Sequence, residues 1–269
     1  MEAFIIVLVI LCVLYVLALR GRTGHPGLVE LGRWKYAHRG LHNAERPENS
    51  MAAFRAALEH GYGVELDVHL LKDGNLAVIH DSSLRRTAGA DVKIEDLTTA
   101  DLENYRLNGT EERIPEFRQV LDLFDGKVPL IVELKPAGGN HAALTEATCK
   151  MLDSYNGPYC LESFDPRCVL WLKQHRPELI RGQLSYDYLR YAGKKLPFVL
   201  KFILTHQLEN FLVLPDFVAY RYSDRKNLGN YIVRKIWGVQ GVTWTLQNPQ
   251  EHETAVSEGW IPIFENYKP

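Results

Sequence analysis

Glu65 and Asp67 stand two residues apart in a run whose other positions are Val64, Leu66 and Val68. In a strand, that spacing puts both carboxylates on one face and the apolar side chains on the other. Two acids facing an interior are costly unless something positive lies between them. Oxygen-only donors of this kind suit a hard divalent cation. Glu133 and Lys135 repeat the spacing at the end of a second apolar run, PLIVELK. There Glu133 offers a third oxygen, and Lys135 can hold an anionic phosphate oxygen. Both pairs also have plainer explanations: solvated acids at a strand end, or a salt bridge that closes one. His38 and His80 each follow a strand-like run, where acid–base work near neutral pH would want them. Arg39 adds a planar fork suited to phosphate. The chain has ten histidines, so any single match is cheap. His69 shares a face with Glu65 and Asp67 and is a candidate neighbour of the site.

The elements that must position these residues alternate along the chain. Strand patterns fall at Tyr36–His38, Val64–Leu71, Leu76–His80, Leu130–Lys135, Cys160–Phe164, Ile180–Leu184, Phe217–Arg221, Val242–Leu246 and Ile261–Phe264. Helical patterns such as Ser50–His60, Ala142–Ser154, Pro166–His175 and Pro249–Glu258 lie between them. Lys72-Asp73-Gly74-Asn75 carries a tight-hairpin signal, which makes the second and third strands antiparallel neighbours. The rest reads as β then α, which favours right-handed crossovers and a parallel sheet. If the hairpin's return strand lies at the rim, eight staves remain for a barrel. A doubly wound sheet fits the same alternation, but no G-x-G-x-x-G follows the first strand to support one. What favours the barrel is placement: every chemically interesting residue falls at the carboxyl end of a strand pattern, where (β/α)₈ barrels build their active sites.

The bulk composition of the 269 residues is that of a globular protein, 46% apolar and 24% charged. A net charge of −2 gives no reason to expect nucleic acid. Ala3 to Leu19 is seventeen residues without a charge, followed by Arg20 and Arg22. This reads as an uncleaved single-pass anchor over residues 3–20, since Ala18-Leu19-Arg20 makes a poor signal-peptide cleavage site. Residues 21–33 then form a linker and 34–269 the folded domain. The positive charge after the span places that domain on the cytoplasmic side of the membrane. Cys12 lies in the apolar run. Cys149, Cys160 and Cys168 have no regular spacing and read as reduced thiols, with a Cys160–Cys168 bridge the less favoured alternative. The strongly apolar stretch Lys194 to Pro215 reads first as an ordinary barrel helix. A sharper reading makes Phe198, Phe202 and Phe211 an apolar lip for an acyl chain.

The set His38-Arg39-Gly40, Pro47-Glu48-Asn49-Ser50, Ala53-Phe54, Gly61, Glu65-Leu66-Asp67-Val68, Asp73-Gly74 and His80-Asp81 resembles the glycerophosphodiester phosphodiesterase family. Leu84, Arg86-Thr87, Ile114-Pro115, Glu133-Leu134-Lys135, Ser163-Phe164-Asp165 and Trp244-Thr245 extend the resemblance over roughly residues 36 to 269. It implies a TIM barrel with a short insertion after the second stave, about Asp81 to Arg113. It also implies His38 and His80 as the general acid–base pair, with the order of the two left open, and Glu65, Asp67 and Glu133 holding Mg²⁺ or Ca²⁺. Arg39 and Lys135 would contact phosphate, and Trp244 would shape the pocket wall. The implied substrates are glycerophosphodiesters or lysophospholipids. The runner-up is a lysophospholipase D-like or sphingomyelinase D-like enzyme. An aldolase-type barrel using Lys135 and a membrane-tethered binding barrel are poorer fits. The sequence departs from the family near its end: Glu265-Asn266-Tyr267 stands where an aspartate before a proline is usual, and Leu246-Gln247-Asn248 follows Trp244-Thr245 in place of Val-Asn.

Overall fold

The computed structural model describes residues 1–190 and 196–269. Nine strands form one sheet: β1 (Tyr36–His38), β2 (Gly63–Leu70), β3 (Leu76–Val78), β4 (Leu130–Leu134), β5 (Tyr159–Ser163), β6 (Arg181–Ser185), β7 (Phe217–Arg221), β8 (Gln240–Leu246) and β9 (Trp260–Phe264). β1 pairs in parallel with both β2 and β9, so the sheet closes on itself. The staves run β1-β2-β4-β5-β6-β7-β8-β9, and β3 lies antiparallel on β2 at the rim. This is the (β/α)₈ barrel, and the doubly wound sheet is excluded. Gly74, at φ 87, supplies the turn between β2 and β3.

Alternation along the staves divides the interior from the helix-facing side. Val64, Leu66, Val68, Leu130, Val132 and Leu134 face outward into a core with Phe54, Phe117, Phe124 and Leu144. Inward, the lower barrel is filled by Tyr36, Ile131, Cys160, Leu184, Ala219, Val242 and Ile263. The charged residues of β2 and β4 sit above that apolar plug.

The segment after β3, Asp81 to Arg113, is the insertion. It carries a short helix, Arg85–Ala88, and two 3₁₀ turns, Ile94–Asp96 and Thr99–Asn104. Leu84, Ile94, Leu97, Leu102 and Leu107 give it a small core of its own against Leu71 and Ile79.

The N-terminal residues differ from expectation. Glu2–Ala18 is helical with no buried residue. Its 17 residues reach about 25 Å at ~1.5 Å each, against a hydrocarbon core of about 30 Å. Its last turn is tied to the barrel: Tyr15 Oη lies 2.8 Å from His206 Nδ1, and Trp237 Nε1 donates to the Val16 carbonyl at 2.8 Å. Among the described residues, no helix is long and apolar enough to cross a membrane, so the expected transmembrane span is not confirmed. The following stretch is packed rather than a free tether. Arg22 pairs with the buried Asp216 at 2.6 Å. The helix Gly27–Leu31 pushes Leu31 into the plug at the barrel's base. All four cysteines are free, so Cys160 and Cys168 form no bridge.

Glu209 is buried in the connection between β6 and β7, and neither carboxylate oxygen has a hydrogen-bond partner among the described residues. Burial pushes its pKa up to about 8. The folded chain therefore holds this proton more tightly than the unfolded chain, where glutamate titrates near ~4.3. Stability is fullest below that value and falls as pH rises through about 8. We expect Glu209→Gln to raise Tm at pH ~8.5 and change it little at pH ~5, measured by thermal denaturation. An equal effect at both pH values would assign the pH dependence elsewhere.

Candidate active site

β2 turns Glu65 and Asp67 into the barrel. β4 sets Glu133 level with Asp67, and β5 sets Glu162 level with Glu133. Carboxylate oxygens of Glu65, Asp67 and Glu133 all lie within 4.8 Å of one another, and all three residues are buried. Lys135, at the end of β4, places Nζ 2.8 Å from Glu133 and 3.1 Å from Asp67. The Lys135–Asp67 contact is an ion pair whose direction makes no hydrogen bond, so Asp67 Oδ1 keeps its lone pairs. Asn49 Nδ2 donates to the other Asp67 oxygen at 2.8 Å, and Arg39 Nε lies 3.4 Å from it.

The protonation pattern follows from burial and neighbours. Burial raises Glu65 far above the carboxylate range, and the adjacent Asp67 adds to it. Burial likewise lifts Glu133, to about 7, although Lys135 opposes it. Asp67 goes the other way: burial would raise it, but Lys135 and Arg39 outweigh that and hold it well below its ordinary value. Burial would lower Lys135, but Asp67 and Glu133 raise it instead, so the lysine stays charged.

The two histidines are mounted alike. His38 Nδ1 lies 2.6 Å from Glu265 Oε2, and His80 Nδ1 lies 2.6 Å from Asp81 Oδ1. A carboxylate on Nδ1 fixes the proton there and leaves Nε2 as the acceptor. The Nε2 of His38 is 3.8 Å from Glu65. Burial lowers both imidazoles, His80 to about 4, with Glu265 and Asp67 partly offsetting the effect. Behind them runs a chain of ion pairs. Arg86 of the insertion donates to Asp81 at 2.6 Å and to Glu48 at 2.7 and 2.9 Å, and Glu48 accepts from Arg39 at 2.8 Å. Despite its partial burial, these arginines pull Glu48 down to about 2. Arg39 is held at φ 55, outside the comfortable range for a side chain of its size. Gly40 follows at φ 82, where a Cβ would come within 2.9 Å of Ala53.

His38, Arg39, Glu65, His80, Glu133, Lys135 and Trp244 line one cavity of about 300 Å³. Asp67 lies beneath it. All eight residues singled out in the sequence thus converge. Trp244 meets Phe164 edge-on at 5.6 Å, and Tyr186 completes an aromatic wall. His69 is not free for chemistry: Nδ1 pairs with Glu95 at 2.7 Å, and Nε2 lies 3.1 Å from the His80 carbonyl, docking the insertion. A second hollow of about 590 Å³ shares Glu133, Lys135 and Phe164 with the cavity. Its apolar side is Leu196, Leu200 and Leu204, at helical spacing. Phe198, Phe202 and Phe211 are exposed and absent from that lining, so they do not form the apolar lip expected from the sequence. Lys194 lies outside the described residues.

Sequence reasoning missed two acids. Glu162 is buried, lines the cavity and has Oε2 without a hydrogen-bond partner among the described residues; its signal was an inward-facing charge in the apolar run of β5. Glu265 was flagged only as a departure at the last stave, next to the first.

The three carboxylates fit a hard cation, offering clustered oxygens that include one with no hydrogen bond. A closed barrel with such oxygens, two carboxylate-backed histidines and two cations at its strand ends has the architecture that metal-assisted phosphoryl chemistry requires. Residues 38–267 match the glycerophosphoryl diester phosphodiesterase family, and the chain belongs to it. A glycerophosphodiester phosphodiesterase of Caldanaerobacter subterraneus subsp. tengcongensis is 33% identical over 55% of this chain; the match spans 65% of that relative. Human lysophospholipase D GDPD1 is 25% identical over 86% of this chain and 82% of its own length. Human glycerophosphodiester phosphodiesterase 1 is 29% identical over 80% and 72%. Among solved structures, an Oleispira antarctica phosphodiesterase in complex with its product sn-glycerol-3-phosphate superposes with a TM-score of 0.70 at 22% identity, covering 87% of this chain and 93% of that one.

The Glu265–His38 contact has a measurable consequence. We expect Glu265→Gln to lower kcat on the chain's phosphodiester substrate by about 10²-fold, with little change in KM. Without the carboxylate His38 binds its proton less tightly, so the acid limb of the pH–rate profile should move to lower pH. An unchanged kcat and limb would exclude a positioning role for Glu265.

Proposed function

We propose that this chain hydrolyses glycerophosphodiesters to glycerol 3-phosphate and an alcohol, using one divalent cation, Mg²⁺ or Ca²⁺, held by Glu65, Asp67 and Glu133. The observation that carries this reading is the convergence of both histidines, both cations and the three carboxylates on one cavity. When bound, the cation would neutralise charge on the non-bridging phosphate oxygens. Arg39 and Lys135 add to that neutralisation from the cavity wall. His38 accepts at Nε2 the proton of the attacking hydroxyl, and His80 returns one to the leaving alcohol oxygen. Where the substrate has a hydroxyl beside the ester, that hydroxyl can attack first and expel the alcohol, giving a cyclic phosphate that water then opens to glycerol 3-phosphate. Trp244 and Phe164 wall off the leaving group. Human glycerophosphodiester phosphodiesterase 1 and the Oleispira product complex support this reading by what they are named for, and human lysophospholipase D GDPD1 supports the second reading below. Lys135, held charged between two acids, is in the wrong state for an aldolase-type Schiff base.

The test is choline release from glycerophosphocholine by the full chain, with and without EDTA. We expect EDTA to abolish release and metal to restore it, and His38→Ala or His80→Ala to cost about 10²–10⁴-fold. Turnover that survives either change would overturn the assignment.

A second reading, lysophospholipase D-like hydrolysis, is favoured by the leucine-sided hollow that opens beside the phosphate cavity. Replacing Leu200 and Leu204 together by serine should then reduce lysolipid hydrolysis about tenfold or more through lost apolar contact, and spare glycerophosphocholine. Equal loss on both substrates would remove the acyl-chain role.

We also propose that the chain rests on a membrane surface on the cytoplasmic side. The helix Glu2–Ala18, apolar on every face and with no buried residue, supports a membrane-seated N-terminus. Three buried thiols without a bridge support a reducing compartment.

A further inference from the structure

Glu265 has a second neighbour. The loop after β1 folds back through a hydrogen bond from the His42 amide to the Gly40 carbonyl at 2.9 Å. This brings His42 Nε2 to 3.9 Å from Glu265 Oε1, while Oε2 stays 2.6 Å from His38 Nδ1. Ligand atoms of His38, His42 and Glu265 therefore all lie within 4.8 Å of one another. The three side chains are 14%, 17% and 22% exposed, so an ion can reach them from solvent. Asn266 Nδ2 donates to Glu265 Oε1 at 3.2 Å and steadies that carboxylate.

We propose that His38, His42 and Glu265 form a second, inhibitory cation site that takes a borderline transition ion such as Zn²⁺. Two imidazoles and a carboxylate, with a fourth position open to water, are a donor set that zinc favours. Mg²⁺ and Ca²⁺ prefer oxygens alone, so the two clusters select different ions. Tetrahedral zinc with bonds of ~2.1 Å separates its ligand atoms by about 3.4 Å. The present separations lie on both sides of that value, and modest side-chain rotation closes the site.

The inhibitory effect follows from the tautomer of His38 and rests on the function proposed above. With Glu265 on Nδ1, the ring proton sits at Nδ1 and the Nε2 lone pair is free to take a proton from substrate. Zinc needs the Nδ1 lone pair. The Nδ1 proton departs to solvent, a proton is taken up at Nε2, and the imidazole stays neutral with no net proton change. Nε2 then carries hydrogen and cannot act as base. His42 contributes only to holding the ion.

The test titrates Zn²⁺ into the full chain in saturating Mg²⁺, by calorimetry and in parallel by inhibition of glycerophosphocholine hydrolysis. We expect one zinc site in the unmodified chain, and an affinity at least about tenfold weaker in both His42→Ala and His42→Gln. Inhibition should weaken by the same factor, with activity in the absence of zinc unchanged. Zinc affinity that is the same in the His42 variants, or inhibition relieved by raising Mg²⁺, would overturn the proposal, the latter by placing zinc on the three carboxylates. Calorimetry reads the site whether or not the chain hydrolyses this substrate, so the two proposals fail separately.

Discussion

Burying several carboxylates in one barrel is the constraint around which the upper half of this molecule is arranged. Glu65, Asp67, Glu133 and Glu162 all turn inward, and among the described residues Lys135 and Arg39 bring positive charge to them. Mutual repulsion in a low-dielectric interior makes such a group untenable as four anions. The protonation pattern records the compromise: Asp67, next to both cations, stays ionised, while Glu65, Glu133 and Glu162 are driven toward neutrality. A divalent ion is what would let the remaining oxygens ionise together. The folded chain thus stores a demand for positive charge at the place where a phosphodiester would need it.

The same economy extends outward. Each histidine is oriented by a carboxylate, and one of those carboxylates is held by an arginine that also steadies the partner of Arg39. Asp81, Arg86, Glu48 and Arg39 therefore act as one strut from the insertion to the barrel mouth. The insertion's small apolar core gives that strut a fixed base. Its sequence looks like a decorated loop, yet its chief product is the position of His80.

Strand alternation made the barrel largely legible from sequence. Period-two apolar runs ending in acids or histidines mark the staves and the working end together, because one geometric rule governs both. Closure was not legible, since β1 pairing with β9 is a contact across the whole chain. For the site, pairs two residues apart, Glu65 with Asp67 and Glu133 with Lys135, announced themselves. Glu265 and Glu162 did not, because each acquires its meaning from a neighbour on another stave. The apolar stretch after β6 misled in a different way: Phe198 and Phe202 dominate its composition, but helical phase turns Leu200 and Leu204 toward the site. At the N-terminus, composition suggested a span, and tertiary contacts of Tyr15, Val16 and Leu19 claim the last turn for the barrel.

The packing of residues 21–33 separates two boundaries that usually coincide. Family resemblance begins at His38. The cooperative unit begins earlier, because Leu31 seals the open base of the barrel and its carbonyl accepts from the Tyr36 hydroxyl at 2.9 Å. Arg22, farther back, neutralises an aspartate buried between β6 and β7. The cooperative unit therefore reaches farther back than the family match, and residues 21–33 work as the stopper of the vessel.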